Sequence, residues 1–230
     1  MAKAFSWSYS KLNSYEKCPK RHYEVDLAKN YADQQGEALL YGNRVHQAFA
    51  AHLGQGTPLP PEMLAYQVWA DKVSKGTGKL LVEQKYAINR AFGKTSWFAP
   101  DAWFRGIGDV VRLNAPAALV LDWKTGKVQE DSVQLALMAQ VIFSHYPDIE
   151  YVQSEFVWLK MLPDTDDPNA CKTSEGYTRD DMVALWPALL ERVDNMEQSS
   201  ITLNYPPNPG CNLCRNWCPV TSCVYHKKGL

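Results

Sequence analysis

Apolar side chains recur at a helical period over the first part of this chain and change to a period of two near residue 80. Within residues 11–28, Leu12, Tyr15, Tyr23 and Leu27 form an imperfect stripe, which predicts a helix capped by Ser8 or Ser10. Pro19 falls inside it, so that helix kinks or breaks there. Residues 42–53 place Val45, Ala48, Phe49 and Leu53 on one side of a second helix. The Gly- and Pro-rich residues 54–62 end it, and another helix begins near Glu62. From residue 80 to 88, Leu80, Val82, Tyr86 and Ile88 alternate against Glu83 and Lys85, the pattern of a strand. Residues 104–113 and 119–124 are two further strands, joined by a short Asn-Ala-Pro-Ala turn that favours a hairpin. A helix over 131–145, a strand over 151–160, a polar loop over 163–175 and a last helix from Thr178 to about residue 198 complete the pattern. Helices, three strands, helix, strand, helix is the order of an α/β fold with a mixed central sheet flanked by helices.

Composition narrows the class. At 230 residues one domain is the default, with a helical part over 1–75, a core over 76–200 and a tail over 201–230. Hydrophobic residues at 46% and charged residues at 21% exclude disordered and fibrous chains. The longest apolar run, residues 115–121, falls far short of the roughly 20 residues a membrane helix needs. The opening MAKAFSWSYS has no apolar core of a secretory signal, so a cytoplasmic protein with no membrane partner is expected. A net charge of −1 is not the basic excess common among nucleic-acid binders, yet acids that hold cations can offset a local basic groove.

The cysteines are unevenly spread: Cys211, Cys214, Cys218 and Cys223 crowd into the last twenty residues, while Cys18 and Cys171 stand alone. In a reducing compartment such crowding speaks for metal binding over disulfides. Four thiolates suit structural zinc and an iron–sulfur cluster alike. The Pro-rich segment from about residue 204 has too little regular pattern to order itself without cross-links.

The strands carry the candidate chemistry. Alternation puts Asp109 on the face of Ile107, Val111 and Leu113, where a carboxylate is costly unless paired, protonated or bound to metal. In the next strand Val120, Asp122 and Lys124 share a face. A hairpin would bring Asp109 and Asp122 together, and with the backbone carbonyl of Trp123 they offer the hard oxygen ligands that Mg²⁺ or Mn²⁺ prefers. Lys124 would then reach an anionic substrate and its attacking water, completing the set that phosphodiester hydrolysis calls for. A solvated Asp–Lys pair on a strand edge is the structural alternative. His46, next to Val45 on a partly buried helix face, reads from its neighbours alone as a satisfied core histidine, and His52 faces elsewhere. Gln134 shares a helical stripe with Leu137, Met138 and Val141, where it needs a polar partner.

The run G-I-G-D-V-V followed by V-L-D-W-K-T-G-K resembles the active-site hairpin of PD-(D/E)XK nucleases, especially the branch of the RecB and AddB nuclease domains and the CRISPR-associated RecB-like exonucleases with their phage relatives. Ser8-x-Ser10-x-Leu12-x-x-Tyr15-x-x-Cys18-Pro19 resembles that branch's opening motif, and Gly42-x-x-x-His46 its metal-binding histidine helix. Gln134 matches the glutamine of its Q-x-x-x-Y motif, although Met138 stands where the motif has tyrosine. The cysteine tail is similar too.

The resemblance implies a restriction-endonuclease-like core whose N- and C-terminal segments are joined by a metal cluster. It implies a Mg²⁺- or Mn²⁺-dependent DNA nuclease, an exonuclease on single-stranded or frayed ends in recombination, repair or phage DNA processing. Asp109, Asp122, Lys124 and Gln134 would be catalytic. His46, Asp109, Asp122 and the Trp123 carbonyl would hold the metal, with Glu83 a further acidic member. Cys18, Cys214, Cys218 and Cys223 would bind a [4Fe-4S] cluster. Their C-x₃-C-x₄-C spacing departs from the usual C-x₂-C-x₅-C of equal span, which leaves Cys211 a rival for one place and Cys171 uninvolved. The partners implied are DNA and a helicase, a recombinase or a CRISPR integration partner. Trp7, Tyr9, Trp103 and Trp123 are candidates for base stacking, and Lys11, Lys17, Lys20 and Arg21 for phosphate contacts. Two competing readings are a non-catalytic nucleic-acid-binding module around a zinc or iron–sulfur site, and a redox protein whose function is the cluster. Intact Asp109, Asp122 and Lys124 speak against the first, and the lack of an electron-donor motif against the second.

Overall fold

The computed structural model of the protein describes residues 4–33, 36–128, 132–164 and 167–228. Its helices are α1 (Tyr9–Lys17), α2 (Pro19–Arg21), α3 (Glu37–Gln55), α4 (Gln67–Ser74), α5 (Val133–His145) and α6 (Arg179–Thr202). Its strands are β1 (Lys79–Ile88), β2 (Lys94–Thr95), β3 (Phe104–Asn114), β4 (Ala117–Lys124), β5 (Tyr151–Trp158) and β6 (Lys172–Thr178). The chain divides into two compact units, Gly36–Leu185 and the pair of segments Met1–Gln35 and Trp186–Leu230.

In the Gly36–Leu185 unit the strands form one mixed sheet in the order β2-β1-β3-β4-β5-β6. Neighbours are antiparallel except β4 and β5, which run parallel because α5 carries the chain back across the sheet. One face is covered by α3, a 3-10 turn (Pro61–Tyr66) and α4. There Val45, Phe49, Met63, Trp69 and Val73 pack with Val110, Leu121, Trp123 and Val157. The Phe49 and Trp123 rings lie 4.4 Å apart. α3 ends at Gly56 in the left-handed conformation (φ 72°), which glycine adopts without steric cost.

The other face belongs to α5. Every residue from Leu135 to Phe143 is buried, so the helix is apolar nearly all round and shows no polar stripe. It passes close over β3 because two side chains are missing there. A Cβ on Gly106 would lie 3.1 Å from the Met138 Sδ, and one on Gly108 would lie 3.3 Å from the Met138 Cε and 2.7 Å from the Val111 Cγ2. Arg179, opening α6, holds the far end of α5 by donating to the carbonyls of Phe143, Tyr146, Pro147 and Ile149 at 2.8–3.2 Å. Thr178 and Asp181 cap α6 mutually, the Asp181 carboxylate accepting from the Thr178 hydroxyl at 2.7 Å.

The expected polar loop over 163–175 is corrected in its second half, because Lys172–Thr178 pairs with β5 as the edge strand β6. An edge strand tolerates polar residues on both sides. Here Lys172 and Ser174 donate to the Glu155 carboxylate at 2.7 and 2.8 Å. The strand expected over 151–160 stops at Trp158, where a 3-10 turn begins. Residue 131 of the expected helix and residues 165–166 of the expected loop lie outside the described residues.

In the second unit the Ser8 hydroxyl caps α1 by accepting from the Lys11 N–H at 3.4 Å. The predicted break falls at Cys18–Pro19, after which α2 runs into a π turn (His22–Leu27). Glu16 forms a bidentate pair with Arg192 of α6 at 2.6 and 2.8 Å, and the Tyr15 hydroxyl donates to the Asn195 carbonyl at 3.0 Å. The Pro-rich tail lies along the α1–α2 junction: the Lys20 N–H donates to the Pro206 carbonyl at 3.2 Å, and the Asn208 side chain donates to the Lys17 carbonyl at 2.9 Å. Among the described residues no helix is long and apolar enough to cross a membrane.

Candidate active site

The site begins where the β1–β3 ladder is interrupted. Val82 pairs with Val110 and Gln84 with Gly108, and between these rungs Glu83 takes a left-handed backbone (φ 49°) opposite Asp109. Such a conformation is sterically costly for a residue with a Cβ, and it breaks the regular facing of both strands. Consequently Gly108 and Val111 point to the same side, and Ile107 is exposed while Asp109 and Val111 are buried. The expectation that Ile107, Asp109 and Val111 share one face is corrected by this irregularity.

Asp109 also marks where β3 and β4 part. Their pairing runs from Asn114–Ala117 to Val110–Leu121. Just beyond that last rung the Trp123 N–H donates to the Asp109 Oδ2, at 2.9 Å. A side-chain carboxylate thus stands in for a strand carbonyl. The helix α3, anchored by Val45 and Phe49, brings the His46 Nδ1 to 3.1 Å from the same oxygen. Ligand atoms of His46, Glu83 and Asp109 all lie within 4.8 Å of one another. From its neighbours alone His46 reads as a core residue; in the structure it faces two carboxylates. His52, by contrast, bonds the Thr57 carbonyl through Nδ1 at 2.8 Å.

Asp122, Lys124 and Gln134 form a second, closed cluster. The Lys124 Nζ lies 2.8 Å from the Asp122 Oδ1 and donates to the Gln134 Oε1 at 3.0 Å, while the Gln134 Nε2 donates to the Asp122 Oδ2. The polar partner that Gln134 requires is therefore this pair. The Phe156 ring sits 4.6 Å from Nζ. The electrostatics follow from crowding. Burial, then the charge of Asp109, pushes the Asp122 carboxyl up to about 6 against the pull of Lys124. Burial and Asp109 also raise Glu83. Burial draws the His46 imidazole down, but the Asp109 hydrogen bond and the charges of Asp109, Asp122 and Glu83 outweigh it, and its pKa rises. The Glu83 and Asp109 carboxylates grouped with His46, and the Asp122 carboxylate that feels the charge of Asp109, are hard oxygen donors suited to a divalent cation, and the His46 imidazole is a borderline nitrogen donor beside them.

In the other unit Cys18, Cys211, Cys214, Cys218 and Cys223 line one small cavity, walled by Pro207, Leu213 and Val220. The Asn208 N–H donates to the Cys18 Sγ at 3.4 Å. Burial, aided by Cys211, Cys218 and Cys18, pushes the Cys214 thiol up to about 11, and burial raises Cys218. Cys171 is buried in the core of the Gly36–Leu185 unit. The expected stacking platforms are corrected: Trp7, Trp103 and Trp123 are all buried and present no face to a base. Among the expected phosphate contacts, Arg21 is paired with Asp33.

Comparison with known proteins bears on the fold and family. The model of the PD-(D/E)XK nuclease superfamily matches residues 6–223. A solved structure of a candidate exonuclease from Eubacterium rectale aligns with a TM-score of 0.53 at 11% identity, covering 91% of this chain and 87% of that one. The structure of a protein called SSO0001 aligns with a TM-score of 0.45 at 14% identity, covering 98% and 89%. Among curated proteins there is no match.

Proposed function

The chain belongs to the PD-(D/E)XK nuclease superfamily, and from that membership we propose that it is a metal-dependent deoxyribonuclease, an exonuclease that works on single-stranded or frayed DNA ends in recombination, repair or phage DNA processing. The observation that carries this reading is the adjacency on β3 and β4 of a carboxylate–histidine cluster and a lysine held by a carboxylate and a carboxamide. His46, Asp109, Asp122 and the Trp123 carbonyl are the proposed ligands for Mg²⁺ or Mn²⁺, with Glu83 a further carboxylate. A cation bound there would supply an acidified water and offset the charge on the phosphate.

The remaining chemistry is done by side chains. Lys124 presents an ammonium to the attacking water and the phosphate, where a preorganised charge stabilises the transition state without reorganising. Gln134 accepts from Lys124 and donates to Asp122, so a group that does not titrate sets the spacing of two that do. Asp109 is aimed by the Trp123 N–H and by His46, the kind of outer support that fixes a ligand's orientation.

The same reading assigns Cys18, Cys214, Cys218 and Cys223 to a [4Fe-4S] cluster. It is supported by the shared cavity and by thiols that burial keeps neutral unless a metal draws off their protons. The cluster would tie two segments nearly two hundred residues apart in sequence, which a Pro-rich tail cannot do for itself. Cys211 lines the cavity as well and remains the rival for one position.

The test is cleavage of end-labelled single- and double-stranded DNA with and without Mg²⁺ or Mn²⁺. Metal-dependent products with 5′-phosphate and 3′-hydroxyl ends are expected. Asp109→Ala and Asp122→Ala should nearly abolish cutting, and Lys124→Ala should lower it by roughly a hundredfold or more. Full activity in the Lys124→Ala protein would overturn the mechanism.

A further inference from the structure

Five cysteines line the small cavity in the unit built from both ends of the chain, whereas a [4Fe-4S] cluster takes four. The fifth, Cys211, has a definite neighbour. Of the thiols around Cys214, that of Cys211 acts on it most strongly and is hydrogen-bonded to it. Cys218 instead accepts the Val220 N–H, and the thiol acting on it most strongly is Cys18. The lining thus pairs Cys211 with Cys214 and Cys218 with Cys18.

The backbone holds the first of these pairs in place. Pro209–Cys211 is a 3-10 turn, closed by the Cys211 N–H on the Asn208 carbonyl at 3.3 Å and by the Gly210 N–H on the Asn208 Oδ1 at 3.1 Å. Asn212 then takes the left-handed conformation (φ 59°), which asparagine tolerates better than most residues. Beyond it the Leu213 carbonyl accepts the N–H groups of Trp217 and Cys218, both at 3.0 Å. Two thiols are therefore joined by a two-residue link that is secured at each end, the Cys-x-x-Cys spacing of reversible disulfides. They differ in access. Cys214 is buried and Cys211 is partly exposed, so a reagent from solution meets Cys211 first.

We propose that Cys211 is a thiol–disulfide exchange site, which in the metal-free chain reacts with a small-molecule disulfide such as oxidised glutathione and passes the bond to Cys214. The Cys211 thiolate attacks one sulfur of the reagent, whose S–S bond breaks to release one thiolate. The Cys214 thiolate then attacks the Cys211 sulfur and expels the second. Two electrons pass to the reagent, the two thiol protons end on the released small thiols, and a Cys211–Cys214 bond remains. The assignment rests on the reading of Cys214 as a cluster ligand and adds a control to it. A chain closed in this way offers three of the four proposed ligands, and reduction restores the fourth. Cys214 engaged with metal is in turn withheld from exchange.

Peptide mapping tests it. Metal-free, reduced protein is exposed to mixtures of oxidised and reduced glutathione, quenched with iodoacetamide and cut with trypsin. Cleavage after Arg192 and Arg215 leaves Cys211 and Cys214 as the two cysteines of peptide 193–215, apart from Cys18 and from Cys218 and Cys223. That peptide should lose both alkylation sites, and the hydrogens of its two thiols, before the other cysteines react. Cys214→Ser should stop at a mixed disulfide of glutathione with Cys211. Closed wild type should lose the uptake of iron and sulfide, read as visible absorbance, and dithiothreitol should restore it. Cys211→Ser treated alike should still take them up. A bond from Cys214 to Cys18, Cys218 or Cys223 in place of Cys211 would overturn the proposal, and so would loss of iron uptake in reduced Cys211→Ser, which would make Cys211 a ligand. The wild-type map needs no variant, so it decides the pairing even where a substitution disturbs the fold. Wild type that closes this disulfide but takes up no iron when reduced counts against the cluster reading alone. Wild type that takes up iron yet keeps both thiols free under oxidised glutathione counts against the exchange site alone.

Discussion

Asp122 is the residue whose ionisation reports most directly on the site. Burial and the neighbouring Asp109 raise its folded pKa from 3.8 to about 6. Between those values the folded chain binds more protons than the unfolded one, so metal-free stability is greatest at the acid end of the window and falls as pH rises through it. A divalent cation competes for the same oxygens. Mn²⁺ should therefore raise the melting temperature clearly above pH 6 and little at pH 5, and a shift that is constant from pH 5 to 8 would contradict a cation at Asp122. His46→Ala should lower cleavage or change the preferred metal, whereas His52→Ala, whose ring serves the Thr57 carbonyl, should cut like wild type in the same assay. Strand alternation was enough to place Asp122 beside Lys124 and to pair their strand with that of Asp109. It could not reveal the left-handed Glu83 or the N–H of Trp123 on Asp109. Both arise where three strands part, and nothing in the local sequence encodes that opening. His46 needed the family resemblance, because a histidine beside Val45 looks the same whether it meets carboxylates or core.

At the level of elements, the contact of α5 with β3 is what brings Gln134 over Asp122 and Lys124. Gly108→Ala would force a Cβ to within 2.7 Å of a branched neighbour, Val111. Overpacking of this kind costs about 1–3 kcal/mol and should appear as an earlier denaturation midpoint, with partial recovery in Gly108→Ala/Val111→Ala. Arg179→Ala would strip donors from four carbonyls at the end of α5 and the turn after it. A loss of roughly 1–3 kcal/mol is expected by urea titration. The long helices and the central strands were readable because their apolar periods are strong. β6 was not, since an edge strand of Lys, Ser, Glu and Thr has the composition of a loop and becomes a strand only by pairing with β5. The tryptophans misled for a related reason: an indole suits a base and a protein core equally, and only packing shows that Trp7, Trp103 and Trp123 went to the core.

Across the whole molecule, one unit is a continuous stretch of chain, and the other is assembled from the segments on either side of it. In the proposed cluster, Cys18→Ala should cost bound iron and melting temperature together, while Cys171→Ala, in the continuous unit, should retain its iron; measured iron content and a thermal melt decide both. The tail's composition led to the expectation of cross-links, but could not show that residues 206–208 would lie against Lys17, Cys18 and Lys20, a contact between segments whose distance in sequence hides it. This arrangement also sets a schedule during synthesis. The ribosome delivers residues 36–185 as one uninterrupted run, so every strand of the sheet and the carboxylates it carries have been synthesised before Cys211 is made. Cys18 precedes the whole of that run and waits through its synthesis for Cys211, Cys214, Cys218 and Cys223. A metal held by Cys18 together with those cysteines could therefore bind only after the whole of residues 36–185 has been translated.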